Sequence, residues 1–185
     1  MRTDARINRE KLVGAAATLF ASAGVAVPLE AVAKQAGVGI GTLYRHFPTR
    51  DALVEAVYRQ EIDRLCSAAD ELLRIHRPDV ALEEWMRRFV TYAAAKRGMS
   101  SALQSIVASN AELYASTRDR LLTAIASLLG AAVAAGTVRA DMAPEDVLQA
   151  MSGVWLMPDG EGWNARAQRL LQLLMDGLRF GARSR

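Results

Sequence analysis

The residues that could do chemistry in this 185-residue chain are few: two histidines (His46 and His76), one cysteine (Cys66) and 20 acidic side chains. No Ser/His/Asp, Cys/His or paired-carboxylate arrangement stands at a defined spacing, so an enzymatic reading has nothing to carry it. The single cysteine excludes an intrachain disulfide framework and a cysteine-rich zinc site, and it suits a reducing compartment. Cys66 reads as a buried, inert thiol rather than a redox switch. His76, with Glu83 and Glu84 beyond it, reads as a cation at a helix C-terminus rather than a metal ligand. No cofactor is implied. One cluster does have a chemical logic: Gly41-Thr42-Leu43-Tyr44-Arg45-His46, followed by Arg50. A guanidinium and an imidazole beside glycine and threonine are groups that meet phosphate oxygens and base edges.

The charge distribution points the same way. The chain carries +3 overall, but residues 1–50 hold +4 and the remaining 135 residues −1. A basic terminal module on a neutral body calls for an anionic partner, nucleic acid first. The start of the chain, Met1 to Arg6, lacks the apolar run of a signal peptide. An uncharged window of 18 residues, Leu121 to Val138, is alanine-rich and weakly apolar. It reads as a helix inside a bundle, not a membrane span. A cytoplasmic protein is expected.

The elements that must hold the cluster are helices throughout, because apolar residues recur at the helical period and no alternating strand pattern appears. Leu12, Ala16, Leu19 and Phe20 mark a first helix that stops at Gly24. Leu29, Val32, Ala33 and Ala36 mark a short second one, with Pro28 at its start and Gly37 at its end. A third runs roughly from Ile40 to Phe47. Pro48 interrupts, and Thr49 caps a long fourth helix reaching about His76. Further helices are expected at about 79–97, 99–109, 111–135, 144–157 and 163–181. Their breaks fall at Gly98, near Asn110, at Gly136 to Asp141, and at Pro158 to Gly162. The fold class is all-α: a helix-turn-helix unit over residues 1–50 and a helical body over 51–185.

On a helical wheel, Ile40, Leu43, Tyr44 and Phe47 share one arc of about 100° and form the packing side. Gly41, Thr42, Arg45 and His46 take the opposite arc. Two short helices joined by a glycine turn, the second with a small-residue outer face, match a helix-turn-helix that sets its second helix in the major groove. Arg50 lies in the first turn of helix four, where a cation opposes the macrodipole by about 0.3–1 kcal/mol. A phosphate docked at that helix end would relieve the conflict. Lys34, Arg2, Arg6 and Arg9 are further phosphate candidates.

Val25-Ala26-Val27-Pro28-Leu29-Glu30-Ala31-Val32-Ala33-Lys34-Gln35-Ala36-Gly37-Val38-Gly39-Ile40-Gly41-Thr42-Leu43-Tyr44-Arg45-His46-Phe47-Pro48-Thr49-Arg50-Asp51-Ala52-Leu53 closely resembles the DNA-binding signature of the TetR family of transcriptional regulators. The resemblance covers about residues 6–60. It implies a homodimer whose recognition helices enter successive major grooves, with DNA contacts at Gly41, Thr42, Tyr44, Arg45, His46 and Arg50. One departure stands out: the family often caps helix two with threonine, and this chain has Pro28 instead.

For the body, Leu170, Leu171, Leu173, Leu174, Met175, Leu178 and Phe180 spread over about 220° of the last helix, too wide for one neighbour. Val147, Met151, Val154 and Trp155 precede them, with Gly153 allowing close approach. The resemblance implies that the last two helices form a four-helix dimer bundle, through Val147, Met151, Val154, Trp155, Leu170, Leu171, Leu174 and Leu178. It also implies an effector cavity among Trp85, Phe89, Tyr92, Leu103, Gln104, Ile106, Tyr114 and Leu122, with Asn110 a further polar candidate. A hydrophobic or aromatic small molecule would suit such a pocket. Its binding would move helix four and release a near-palindromic operator, making the protein a ligand-responsive repressor. A DNA-binding regulator with no small-molecule effector, controlled by a partner or acting as an activator, fits the same residues.

Overall fold

A computed structural model describes residues 2–109, 111–158 and 160–180. Asn110 and Asp159, at two of the expected breaks, and the side chains of Arg2 and Tyr114 lie outside the described residues. The elements in order are α1 (Arg2–Ala23), α2 (Leu29–Ala36), α3 (Ile40–His46), α4 (Arg50–Ile75), α5 (Pro78–Gly98), α6 (Ser100–Ser109), α7 (Ala111–Ala134), α8 (Pro144–Ser152), a 3-10 turn (Gly153–Leu156) and α9 (Trp163–Arg179). No strand occurs among the described residues. Helix eight ends five residues earlier than its apolar spacing suggests, because the chain tightens into the 3-10 turn at Gly153.

Contacts divide the chain into two units, each with its own core. The first holds the residues up to Glu61 together with Ala94–Leu113. Its centre is built from Leu12, Ala16 and Phe20 of α1, Leu29, Val32 and Ala33 of α2, Leu43 and Phe47 around α3, and Leu53, Val54 and Val57 of α4, all buried. α1 stops at Gly24, which takes φ 75°, and α2 at Gly37, with φ 69°, both accepting the left-handed turn that closes a helix. The start of α4 is capped by Thr49, whose Oγ1 accepts the Ala52 N–H at 3.1 Å. The expected boundary at residue 50 is therefore not where the contacts divide. The α5–α6 junction joins this unit because Gly98 lies directly on the backbone of α1: a Cβ there would sit 2.5 Å from the Phe20 carbonyl oxygen.

The second unit comprises Ile62–Ala93 and the chain from Tyr114 onward. Trp85 is its largest fully buried side chain, and its indole N–H donates to the Leu65 carbonyl at 2.8 Å. In α7, Leu121, Ala124, Ile125, Leu128, Leu129 and Ala132 are buried while Thr123, Ser127 and Gly130 are exposed. The uncharged window is thus an amphipathic helix in its positions if not in its composition. No helix among the described residues is long and apolar enough to cross a membrane. α9 is tied down at its end by Arg179, which meets Glu83 at 2.8 Å and the buried Asp79 at 3.2 Å. The Arg139 N–H donates to the Leu178 carbonyl at 2.8 Å, holding the α7–α8 connection against the same helix end.

Candidate nucleic-acid interface

α1, α2 and α3 pack against one another, and the buried stripe that joins α3 to the rest is narrow. Leu43 is fully buried and Phe47 is 2% exposed, but Ile40 is 37% and Tyr44 47% exposed. The wheel thus overstates the packed arc. A helix of two turns is held along a single line, so residues at the rim of that line stay in solvent. For Tyr44 this places a large aromatic on the outer surface, beside the groups expected to read DNA.

The outer face carries Gly41, Tyr44 and Arg45 exposed, with Thr42 and His46 half-buried. Arg45 lies along it, its Nε donating to the Gly41 carbonyl at 3.3 Å and its Nη2 to Thr42 Oγ1 at 3.0 Å. The His46 ring stands 6.4 Å from that of Phe47. Lys34 is exposed at the end of α2. A Cβ built on Gly39 or Gly41 would meet nothing within 4 Å, and neither takes a positive φ. Glycine inside a helix costs about 0.5–1 kcal/mol relative to alanine, and no neighbour among the described residues accounts for Gly41.

Three cations have partners within the chain, and for two of them, Arg50 and Arg9, the partner is distant in sequence. Arg50 is half-buried, and its Nη1 donates to the Val25 and Val27 carbonyls at 2.5 and 2.6 Å. Arg9 stacks over the Phe47 ring at 5.2 Å from its centroid. Arg6 lies 3.6 Å from Glu10 in an exposed pair. No i,i+4 pattern announces the Arg50 contact, since its acceptors are backbone groups 23 and 25 residues earlier.

The residues expected around an effector cavity do not share one unit. Trp85, Phe89, Tyr92 and Leu122 belong to the second, whereas Leu103, Gln104 and Ile106 belong to the first. Phe89, Tyr92 and Trp155 form an aromatic cluster, with ring centroids 5.7–6.0 Å apart and Trp155 edge-on to both partners. Gln104 is exposed.

The expected dimer residues also separate. Val147, Met151, Val154, Leu171 and Leu178 are at most 3% exposed within one protomer, so its own core already accounts for their apolar character. Their periodicity is that of a packed helix, which intrachain burial satisfies as well as a partner would. Trp155 and Leu174 are half-buried, while Leu170 is 42% exposed. The side chains left in solvent are Leu156 at 88%, Leu173 at 69% and Phe180 at 80%. An open groove of about 380 Å³ is lined by Arg139, Met142, Leu170, Leu173, Leu174, Gly177 and Leu178. Leu156, Arg139 and Met142 were absent from the expected set because each stands outside the apolar stripe of α9. Gly153, expected to allow close approach, has open space around it in the protomer.

Of the acids that follow His76 in the sequence, Glu83 is engaged by Arg87 and Arg179, and Glu84 lies 3.4 Å from Arg87. No group of three or more metal-ligating side chains converges among the described residues.

Two short helices joined through a glycine turn, packed on a third, with glycine and cations on the outer face of the second, define the helix-turn-helix class of DNA-binding protein. Residues 12–57 match the family described as bacterial regulatory proteins, tetR family, and residues 77–180 match the transcriptional regulator SbtR-like C-terminal domain. A TetR transcriptional regulator of Streptomyces coelicolor is 45% identical, with 92% of this chain and 98% of that one covered and a TM-score of 0.83. A TetR transcription regulatory protein of Mycobacterium vanbaalenii is 36% identical over 96% of this chain and 98% of its own, with a TM-score of 0.78. An HTH-type transcriptional regulator of Staphylococcus aureus (strain USA300) is 39% identical over 64 residues. That match covers 34% of this chain and spans about a third, 35%, of the curated relative. The chain belongs to the TetR family of transcriptional regulators, which are DNA-binding transcription factors and not enzymes.

Proposed function

We propose that the protein is a cytoplasmic, ligand-responsive repressor that binds a near-palindromic operator as a homodimer. The observation that carries the reading is the outer face of α3, where Gly39 and Gly41 front open space next to Thr42, Tyr44, Arg45 and His46. A backbone free of Cβ atoms there lets the helix approach base edges, and Arg45 reaches a guanine or a phosphate. Lys34 adds a phosphate contact at the end of α2. The groove on α9, with Leu173 exposed in its lining, supports pairing with a second copy, since exposed apolar side chains clustered on one face mark an interface. An effector received near Phe89, Tyr92 and Trp155 would be hydrophobic or aromatic, to match those rings. Release from DNA then requires the effector to favour the DNA-incompetent state; ~100-fold differential affinity supplies about 2.7 kcal/mol of coupling.

Selection of bound fragments from random DNA tests the reading. The expected product is a near-palindrome bound with steep salt dependence and lost in Arg45→Ala. Binding indifferent to sequence and salt overturns it. Leu173→Glu should leave the protein folded but monomeric in sedimentation; a dimer that survives it excludes this face. Thermal-shift screening of small hydrophobic compounds, followed by operator release, separates effector control from a regulator that has none.

A further inference from the structure

Helix α2 begins without a side-chain cap. Pro28 holds its N-cap position with φ −58° and ψ 138°, and it has neither a hydroxyl nor an N–H to offer. The carbonyls at Val25 and Val27, in the loop that delivers α2, both accept from one nitrogen, Nη1 of Arg50. Arg50 is the first residue of α4, and its side chain is half-buried. A guanidinium nitrogen with two hydrogens suits two carbonyls, and the two bonds hold the side chain against the loop that delivers α2. Between residues 28 and 50 lie α2, the glycine turn and α3, so the contact closes the two ends of the helix-turn-helix on each other.

We infer that Arg50 is a positioning residue that anchors the uncapped start of α2 and thereby sets α3. Its consequence for DNA rests on the proposed DNA-reading function; its structural part stands independently.

The test uses full-length Arg50→Met, Arg50→Lys and the double variant Arg50→Met/Pro28→Ser. In the free protein, the Ala31 and Val32 amides, which donate to the Pro28 carbonyl, should exchange hydrogen at least tenfold faster in Arg50→Met. Arg50→Lys should restore part of the protection. Pro28→Ser should restore most of it, because a serine hydroxyl supplies the missing cap. On DNA, Arg50→Met should lose about tenfold of its preference for the selected site over random sequence. Wild-type exchange in Arg50→Met overturns the anchor. If Arg50→Met alone fails to fold, folding of the double variant supports the anchor and its equal failure refutes it. If the wild type selects no DNA site, the DNA reading fails while the exchange result still decides the structural part.

Discussion

Alanine at Gly98 and alanine at Gly41 should act in opposite directions, and the difference follows from what surrounds each position. At Gly98 the added Cβ would lie 2.5 Å from the Phe20 carbonyl oxygen, 3.3 Å from its carbon and 3.6 Å from Ala21 Cα. The closest of these is about 1 Å inside the ~3.5 Å at which such atoms rest. All three are backbone atoms of α1, which cannot swing aside as a flexible side chain would. Overpacking of this kind costs roughly 1–3 kcal/mol, and the helix preference of alanine returns at most about 1 kcal/mol. A net loss of about 1–2 kcal/mol is expected, which lowers Tm by roughly 2–8 °C in a chain of this size. A Cβ built at Gly41 would meet no neighbour within 4 Å, so alanine should raise stability by about 0.5–1 kcal/mol. On the proposed function it should also weaken specific DNA binding by about tenfold, or ~1.4 kcal/mol. Thermal unfolding of both variants beside the wild type, with DNA titrations of Gly41→Ala, measures every quantity. A Gly98→Ala protein as stable as wild type would refute the packing argument, and a Gly41→Ala protein that binds its site undiminished would refute the close-approach argument.

Other outcomes follow from the same geometry. Leu43→Ala empties the one fully buried position of α3 and should cost about 2.7–5 kcal/mol in urea unfolding, with the first unit lost before α9. Arg179→Met leaves the buried Asp79 with Arg77 at 3.6 Å as its remaining ion-pair partner; a loss of about 1–3 kcal/mol is expected by chemical denaturation, moderated because Arg179 is partly exposed. Hydrogen bonding from Arg139 holds the Asp141 carboxyl down at about 2, so its NMR titration should return to the ordinary range in Arg139→Gln. Since the folded value is the lower one, the support this pair gives is present above about 3.9 and is lost as pH falls through about 2. Burial raises the Cys66 thiol, with Arg120 partly opposing and Asp63 adding, so a thiol reagent at pH 8 should label it more slowly than a free cysteine peptide.

The sequence was most legible where backbone chemistry is local. Gly24, Gly37 and Thr49 end or begin helices in the structure where their residue types say they should, because left-handed turns and capping hydroxyls act within a few residues. The narrowness of the α3 stripe was not legible, since a wheel gives direction but not how far a neighbour extends; hence Tyr44 and Ile40 emerge in solvent. Arg50, Arg9 and Arg179 illustrate a second limit. Each is one more cation in the sequence, and its acceptor or ring lies 23 to 100 residues away in chain order. Helices α8 and α9 show a third: an apolar residue buried in its own protomer and one awaiting a second copy have the same hydrophobicity. Only exposure separates Val147 and Leu171 from Leu156 and Leu173.

The shelf that Gly98 provides for the end of α1 bears on how such a regulator can be taken apart. Because Ala94–Leu113 is counted with the residues up to Glu61, the reading head is discontinuous along the gene. A fragment cut after α3, or a chimaera spliced in the middle of α4, would exchange α2 and α3 but leave behind in the parent body the segment on which the end of α1 rests. Grafting a new operator preference onto this scaffold therefore means transplanting two separate stretches of coding sequence, or confining the changes to the solvent side of α3.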